Sequence, residues 1–101
     1  MEQNTMLLKA LTSCDIKLAK ILIEGGVNLN IKNPAGQTPL MIACLMNVHV
    51  NKKIQVIKCL LGNGVDINET DDSGRNAMMY ASHSKSTEVI DFLNVFLVCK
   101  T

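Results

Sequence analysis

The chain has 101 residues, 48% of them hydrophobic and 19% charged, with a formal net charge of +1. That length and composition fit one soluble globular domain with a modest core and speak against disorder. Its ten Lys and Arg residues form no basic stripe and have no interleaved aromatics, so nucleic acid is not implied as a partner.

Met1 opens onto Glu2-Gln3-Asn4-Thr5, with no basic and apolar leader, so a cytoplasmic or nuclear location is expected. No apolar run approaches the ~18 residues that span a bilayer. The first predicted helix carries Leu7-Leu8-Lys9-Ala10, with Glu2, Gln3, Asn4, Lys9, Thr12 and Ser13 supplying the polarity of an N-terminal cap. A second helix has Leu18, Ala19, Leu22 and Ile23 on one stripe and ends at Gly25-Gly26. The turn Gly26-Val27-Asn28-Leu29-Asn30 then opens a projecting segment over residues 28–37.

Gly36 suits a tight turn with positive φ, Thr38 is a competent N-cap, and Pro39 fits the first position of a third helix. The fourth helix has Val56, Ile57, Leu60 and Leu61 as its apolar stripe, with Gly64 ending it after Asn63. A second projecting segment follows over residues 66–75. Residues 89–99 then form a helix that is apolar on most sides, with Asp91 and Asn94 its polar exceptions.

Two segments match: Gly36-Gln37-Thr38-Pro39-Leu40-Met41-Ile42-Ala43 and Gly74-Arg75-Asn76-Ala77-Met78-Met79-Tyr80-Ala81. Gly26 and Gly64 lie 38 positions apart, as do Gly36 and Gly74. Thr5-Met6-Leu7-Leu8-Lys9-Ala10 falls on the same template, giving repeats at about 1–30, 31–68 and 69–101. Ala10 to Ile21 and Ala81 to Phe92 are each 11 residues, but Ala43 to Cys59 is 16, which places an insertion near residues 46–53. It is expected as a loose surface loop between two helices, and Lys52, Lys53 and Lys58 as a solvated basic cluster.

The pattern Gly-x-Thr-Pro-Leu-x-x-Ala, then the Leu-Leu helix and Gly-x-Asp-x-Asn, resembles the ankyrin repeat, whose usual period is about 33 residues. The resemblance implies an all-α solenoid of three helix-turn-helix repeats with short fingers; the competing architecture is a small helical bundle. Leu7-Leu8-Lys9-Ala10, Leu18-Ala19-Lys20, Glu24-Gly25-Gly26 and the extended second repeat are similar to the ankyrin repeat domain-containing protein 34 family. Ankyrin repeats usually carry His after Thr-Pro-Leu. Leu8, Met41 and Met79 stand there, so the polar network of that His is expected to be missing and stability to be lower than in a consensus repeat.

The resemblance implies a non-catalytic protein-binding module, acting as scaffold or adaptor, that uses its fingers and concave helix face. By template position the contacts are Asn33, Pro34, Ala35, Gln37, Leu45 and Met46 in repeat two. In repeat three they are Asp71, Asp72, Ser73, Arg75, His83 and Ser84. For each, the plainer account is an ordinary solvated residue, and for Met46 it is core packing. With Glu69, Asp71 and Asp72 making the second finger acidic, the expected partner has a basic edge and an apolar centre.

The rival readings are an enzyme and a self-associating or fragmentary structural element. No nucleophile elbow, phosphate loop or paired-carboxylate pattern appears, so no catalytic residue is assigned. Cys14, Cys44, Cys59 and Cys99 form no C-x-x-C pair and keep no ligand spacing with His49 or His83; buried reduced thiols are expected, with no metal and no cofactor. The apolar last helix leaves three accounts open: cover by further repeats of a longer protein, self-association through Phe92, Val95, Phe96 and Val98, or an unusual local cap.

Overall fold

The computed structural model describes residues 2–100, with side chains described over 6–97. The cap polarity expected from Glu2, Gln3 and Asn4 and the contact expected from Val98 therefore fall outside the described residues, as does Cys99. Six helices follow in order: α1 (Glu2–Thr12), α2 (Ile16–Glu24), α3 (Pro39–Leu45), α4 (Val50–Gly62), α5 (Ala77–His83) and α6 (Thr87–Lys100). Among the described residues there is no strand, and no helix is long and apolar enough to cross a membrane.

The helices form three antiparallel pairs stacked side by side. In the inner layer α1 packs on α3 and α3 on α5, while in the outer layer α2 packs on α4 and α4 on α6. No pair is thick enough to bury both of its faces alone, so neighbours supply the core. Ala43 and Ala81 are fully buried on the inner helices, where small side chains let the layers approach. The stripe of Val56, Ile57, Leu60 and Leu61 on α4 is buried, as are Ala19 and Ile23 on α2, with Leu18 and Leu22 half-buried.

Local chemistry sets the boundaries. Thr38 lies in extended conformation, and its Oγ1 accepts from the Met41 amide, with Pro39 in the first turn. Asn76 does the same for α5, and Asp15 for α2. Beyond α2 and α4 the chain turns at Gly26 (φ 89°) and Gly64 (φ 93°). Asn28 Oδ1 and Asp66 Oδ1 then each accept from the amide two residues on, which accounts for the recurring Asn/Asp after Gly-Val.

The insertion differs from expectation. It is mostly helix, since α4 has 13 residues against 9 in α2, and the linker before it spans only residues 46–49. His49 caps the lengthened helix, its Nδ1 accepting from the Asn51 amide. Helix absorbs extra residues while satisfying their backbone groups internally, which a loop leaves to solvent. The basic cluster is corrected too: Lys52 and Lys58 are exposed, but Lys53 is only 8% exposed on the buried side of α4. Cys44 is a buried free thiol, and Cys14 and Cys59 are half-buried free thiols.

Candidate functional site

The fingers are built by two residues that perform one task. Asn33 Oδ1 accepts from the amides of Ala35 (3.0 Å) and Gln37 (2.9 Å). Asp71 Oδ1 accepts from those of Ser73 (2.8 Å) and Arg75 (2.9 Å). Each side chain thereby folds its own turn. The two fingers also touch: the Asp72 amide donates to Ala35 O (3.2 Å), and Lys32 Nζ pairs with Glu69 (3.0 Å). At Gly36 (φ 80°) a Cβ would lie 2.7 Å from the Asp72 backbone nitrogen, so glycine serves both the turn and the finger contact.

Behind the fingers a polar bridge joins repeats two and three. Asn33 Nδ2 donates to Gln37 Oε1 (2.7 Å), and Gln37 Nε2 donates to the Tyr80 hydroxyl (3.0 Å). Tyr80 donates to Asp71 Oδ2, which also accepts from Arg75 Nε (3.1 Å), and the Arg75 guanidinium lies 5.4 Å from the Tyr80 ring centroid. The Asp71 carboxyl is held down to about 2, first by the Tyr80 hydrogen bond and then by the Arg75 amide. Burial and the bond to Asp71 push the Tyr80 phenol up. At the template position usually held by His, Met41 is buried, and its sulfur accepts from the Thr38 amide (3.4 Å). The polar link between repeats runs through Tyr80 instead, from the position after it.

The concave face holds two adjoining hollows. One, of about 420 Å³, lies between repeats one and two and includes Cys14, Asn33, Gln37, Leu45 and Asn47 in its lining. The other, of about 390 Å³, lies between repeats two and three and is lined by Gln37, Leu45, Arg75, Met79, Tyr80 and His83. Gln37 and Leu45 belong to both. Leu45 is 42% exposed and Met79 53%, so the groove has an apolar centre with amide, guanidinium and imidazole at its rim.

The structure thus brings Gln37, Leu45, Arg75 and His83 together, with Asn33 beside them, and leaves Pro34, Ala35, Asp72 and Ser73 exposed on the finger tips outside both hollows. Met46 is 4% exposed and packs into the core, yet it also contributes to the lining of the first hollow. One expected contact is corrected. Asp71 is buried with its carboxylate oxygens engaged, so it organises the turn. Ser84 is half-buried, its Oγ donating to Ala81 O (3.0 Å).

The acidic finger is corrected as well, since Asp71 is internal and Glu69 is paired with Lys32; of these three acids Asp72 is the one with no ion pair among the described residues. Met79 and Tyr80 line the groove unforeseen. Met79 precedes His83 by one helical turn, a spacing that puts both on one face. Among the described residues, no three His, Cys, Asp or Glu side chains are grouped to hold a metal.

Stacked antiparallel helix pairs with fingers and a concave groove define a helical repeat solenoid. Residues 6–95 match the family profile described as ankyrin repeats (3 copies), and the chain belongs to the ankyrin-repeat family. It is similar to the E3 ubiquitin-protein ligase KEG of Arabidopsis thaliana, 30% identical over 96 residues, which cover 93% of this chain and 6% of that protein. Among solved structures it is similar to EF0377, an ankyrin repeat protein, with a TM-score of 0.77 and 31% identity over 87% of this chain and 45% of the other. The chain thus spans under half the length of each of these two relatives. Ankyrin repeats are generally protein-protein interaction modules, and the fold is typically a non-catalytic scaffold.

Proposed function

We propose that this chain is a cytoplasmic or nuclear adaptor that binds a partner protein in the groove centred on Leu45. The observation that carries the reading is that Leu45, a large apolar side chain 42% exposed, lies at the junction of both hollows. An exposed apolar side chain in a concavity with a polar rim is the arrangement of an interface centre. The rigid stack behind it lowers the ordering cost of binding. Leu7-Leu8-Lys9-Ala10, Glu24-Gly25-Gly26 and the extended second repeat support a likeness to the ankyrin repeat domain-containing protein 34 family within the larger one.

The test uses a photo-crosslinking amino acid at position 45 and, separately, at the exposed outer position Lys58. A partner should be trapped from position 45 and not from 58, and Leu45→Glu should abolish its capture while helical content is unchanged. Equal trapping from both positions, or capture indifferent to Leu45→Glu, overturns the reading.

A further inference from the structure

We infer that the groove selects a partner segment that sets an apolar side chain against Leu45 and Met79 and a carboxylate against Arg75. This rests on the groove being the binding surface and adds the sign of the partner's charge. Arg75 is 58% exposed at its side chain, and Asp71 draws only on its Nε hydrogen. Its terminal amino groups meet no acceptor among the described residues, so they are free to form the paired hydrogen bonds that a carboxylate accepts.

The Asp71 carboxylate offsets the charge of Arg75 but leaves its terminal amino groups unoccupied. Asp71 Oδ1 is filled by two amides and Oδ2 by Tyr80 and Arg75, while Glu69 is taken by Lys32. Asp72 sits over Gly36 on the finger tip, outside the groove lining. The Tyr80 ring and the Asp71 carboxylate hold the guanidinium in place, which lowers the entropic cost of a second carboxylate docking on it. A lysine-bearing segment would meet donors where it needs an acceptor, because the Asp71 oxygens are already filled.

The experiment selects a random short-peptide display library on the whole chain, then measures a recovered peptide against variants by calorimetry. Peptides with an acidic residue near a large apolar one should be enriched, and added salt should weaken their binding. Arg75→Gln should weaken a recovered peptide roughly tenfold or more, with Arg75→Lys restoring part of the loss. Variants are compared only where their circular dichroism matches the parent; if Arg75→Gln fails to fold, the library's charge bias and the salt response decide. Enriched peptides that require Leu45 but carry lysine, or show no charge bias, overturn this inference and leave the groove reading standing. No enrichment, or peptides indifferent to Leu45→Glu and Met79→Glu, overturns both.

Discussion

Asp71 and Asn33 show how one turn can be built with or without a charge. Both accept two backbone hydrogen bonds from their own finger, but only Asp71 adds a charge-assisted bond to Tyr80 and an ion pair with Arg75. Because the folded carboxyl is held at about 2, below the ordinary 3.8, the unfolded chain takes up a proton that the folded chain refuses as pH falls between those values. The stabilisation is therefore complete above about pH 5 and lost towards pH 2. Asp71→Asn, which Asn33 shows to be compatible with the turn, should lower stability at neutral pH and flatten this acid limb. Tyr80→Phe keeps the ring, removes the donor, and should move the limb to higher pH. Urea midpoints followed by circular dichroism across this range check both; an acid limb unchanged in Asp71→Asn sinks the account. The turn residues were legible as finger positions by their place in the repeat template, but their inward role was not. Whether a polar side chain faces solvent or its own backbone depends on the turn geometry, and Tyr80 meets Gln37 from 43 positions away.

The 38-residue spacing, the start of α3 and the ends of α2 and α4 were legible because they rest on local chemistry: Thr38, Pro39 and the glycines at 26, 36 and 64 act through their own backbone. The insertion was read as a loop and is mostly helix, since helix and loop differ in how they satisfy backbone groups and length alone does not separate them. Its extra residues also remove a strained turn. Between the helices of repeats one and three, Cys14 and Lys85 are forced to φ 59°, whereas in repeat two none of residues 46–49 takes a positive φ. A left-handed conformation costs an L-residue about 1–2 kcal/mol, and glycine's own entropic penalty is about 0.5–1 kcal/mol. Lys85 is exposed, so Lys85→Gly loses no packing and should gain about 0.5–1 kcal/mol, read as a higher denaturant midpoint at unchanged slope. A lower midpoint would show that the residue is not strained there.

At the scale of the stack, each repeat is completed by its neighbour, and the third leaves open positions that the second buries. Met41 is fully buried while its counterpart Met79 is 53% exposed; Ile23 and Leu61 are buried where repeat three places the exposed Asn94. α6 runs on to Lys100 through the positions where Gly26 and Gly64 turn the chain after α2 and α4, so apolar helix replaces a finger turn. Its hydrophobicity at first suggests a surface built for self-association. The burial pattern argues otherwise: Val89 and Leu93 are fully buried against the stack, and Phe92, Phe96 and Leu97 are half-buried. Val95, 59% exposed, is the large apolar side chain of α6 left open among the described residues, and single exposed apolar residues are ordinary. A stable dimer needs roughly 800 Å² from each partner, and among the described residues α6 leaves a single large apolar side chain exposed. The 101-residue chain is therefore expected to run as a monomer in light scattering over a wide concentration range, with Val95→Glu leaving its mass unchanged. A concentration-dependent dimer that Val95→Glu dissolves would transfer the binding role from the groove to the end of the stack.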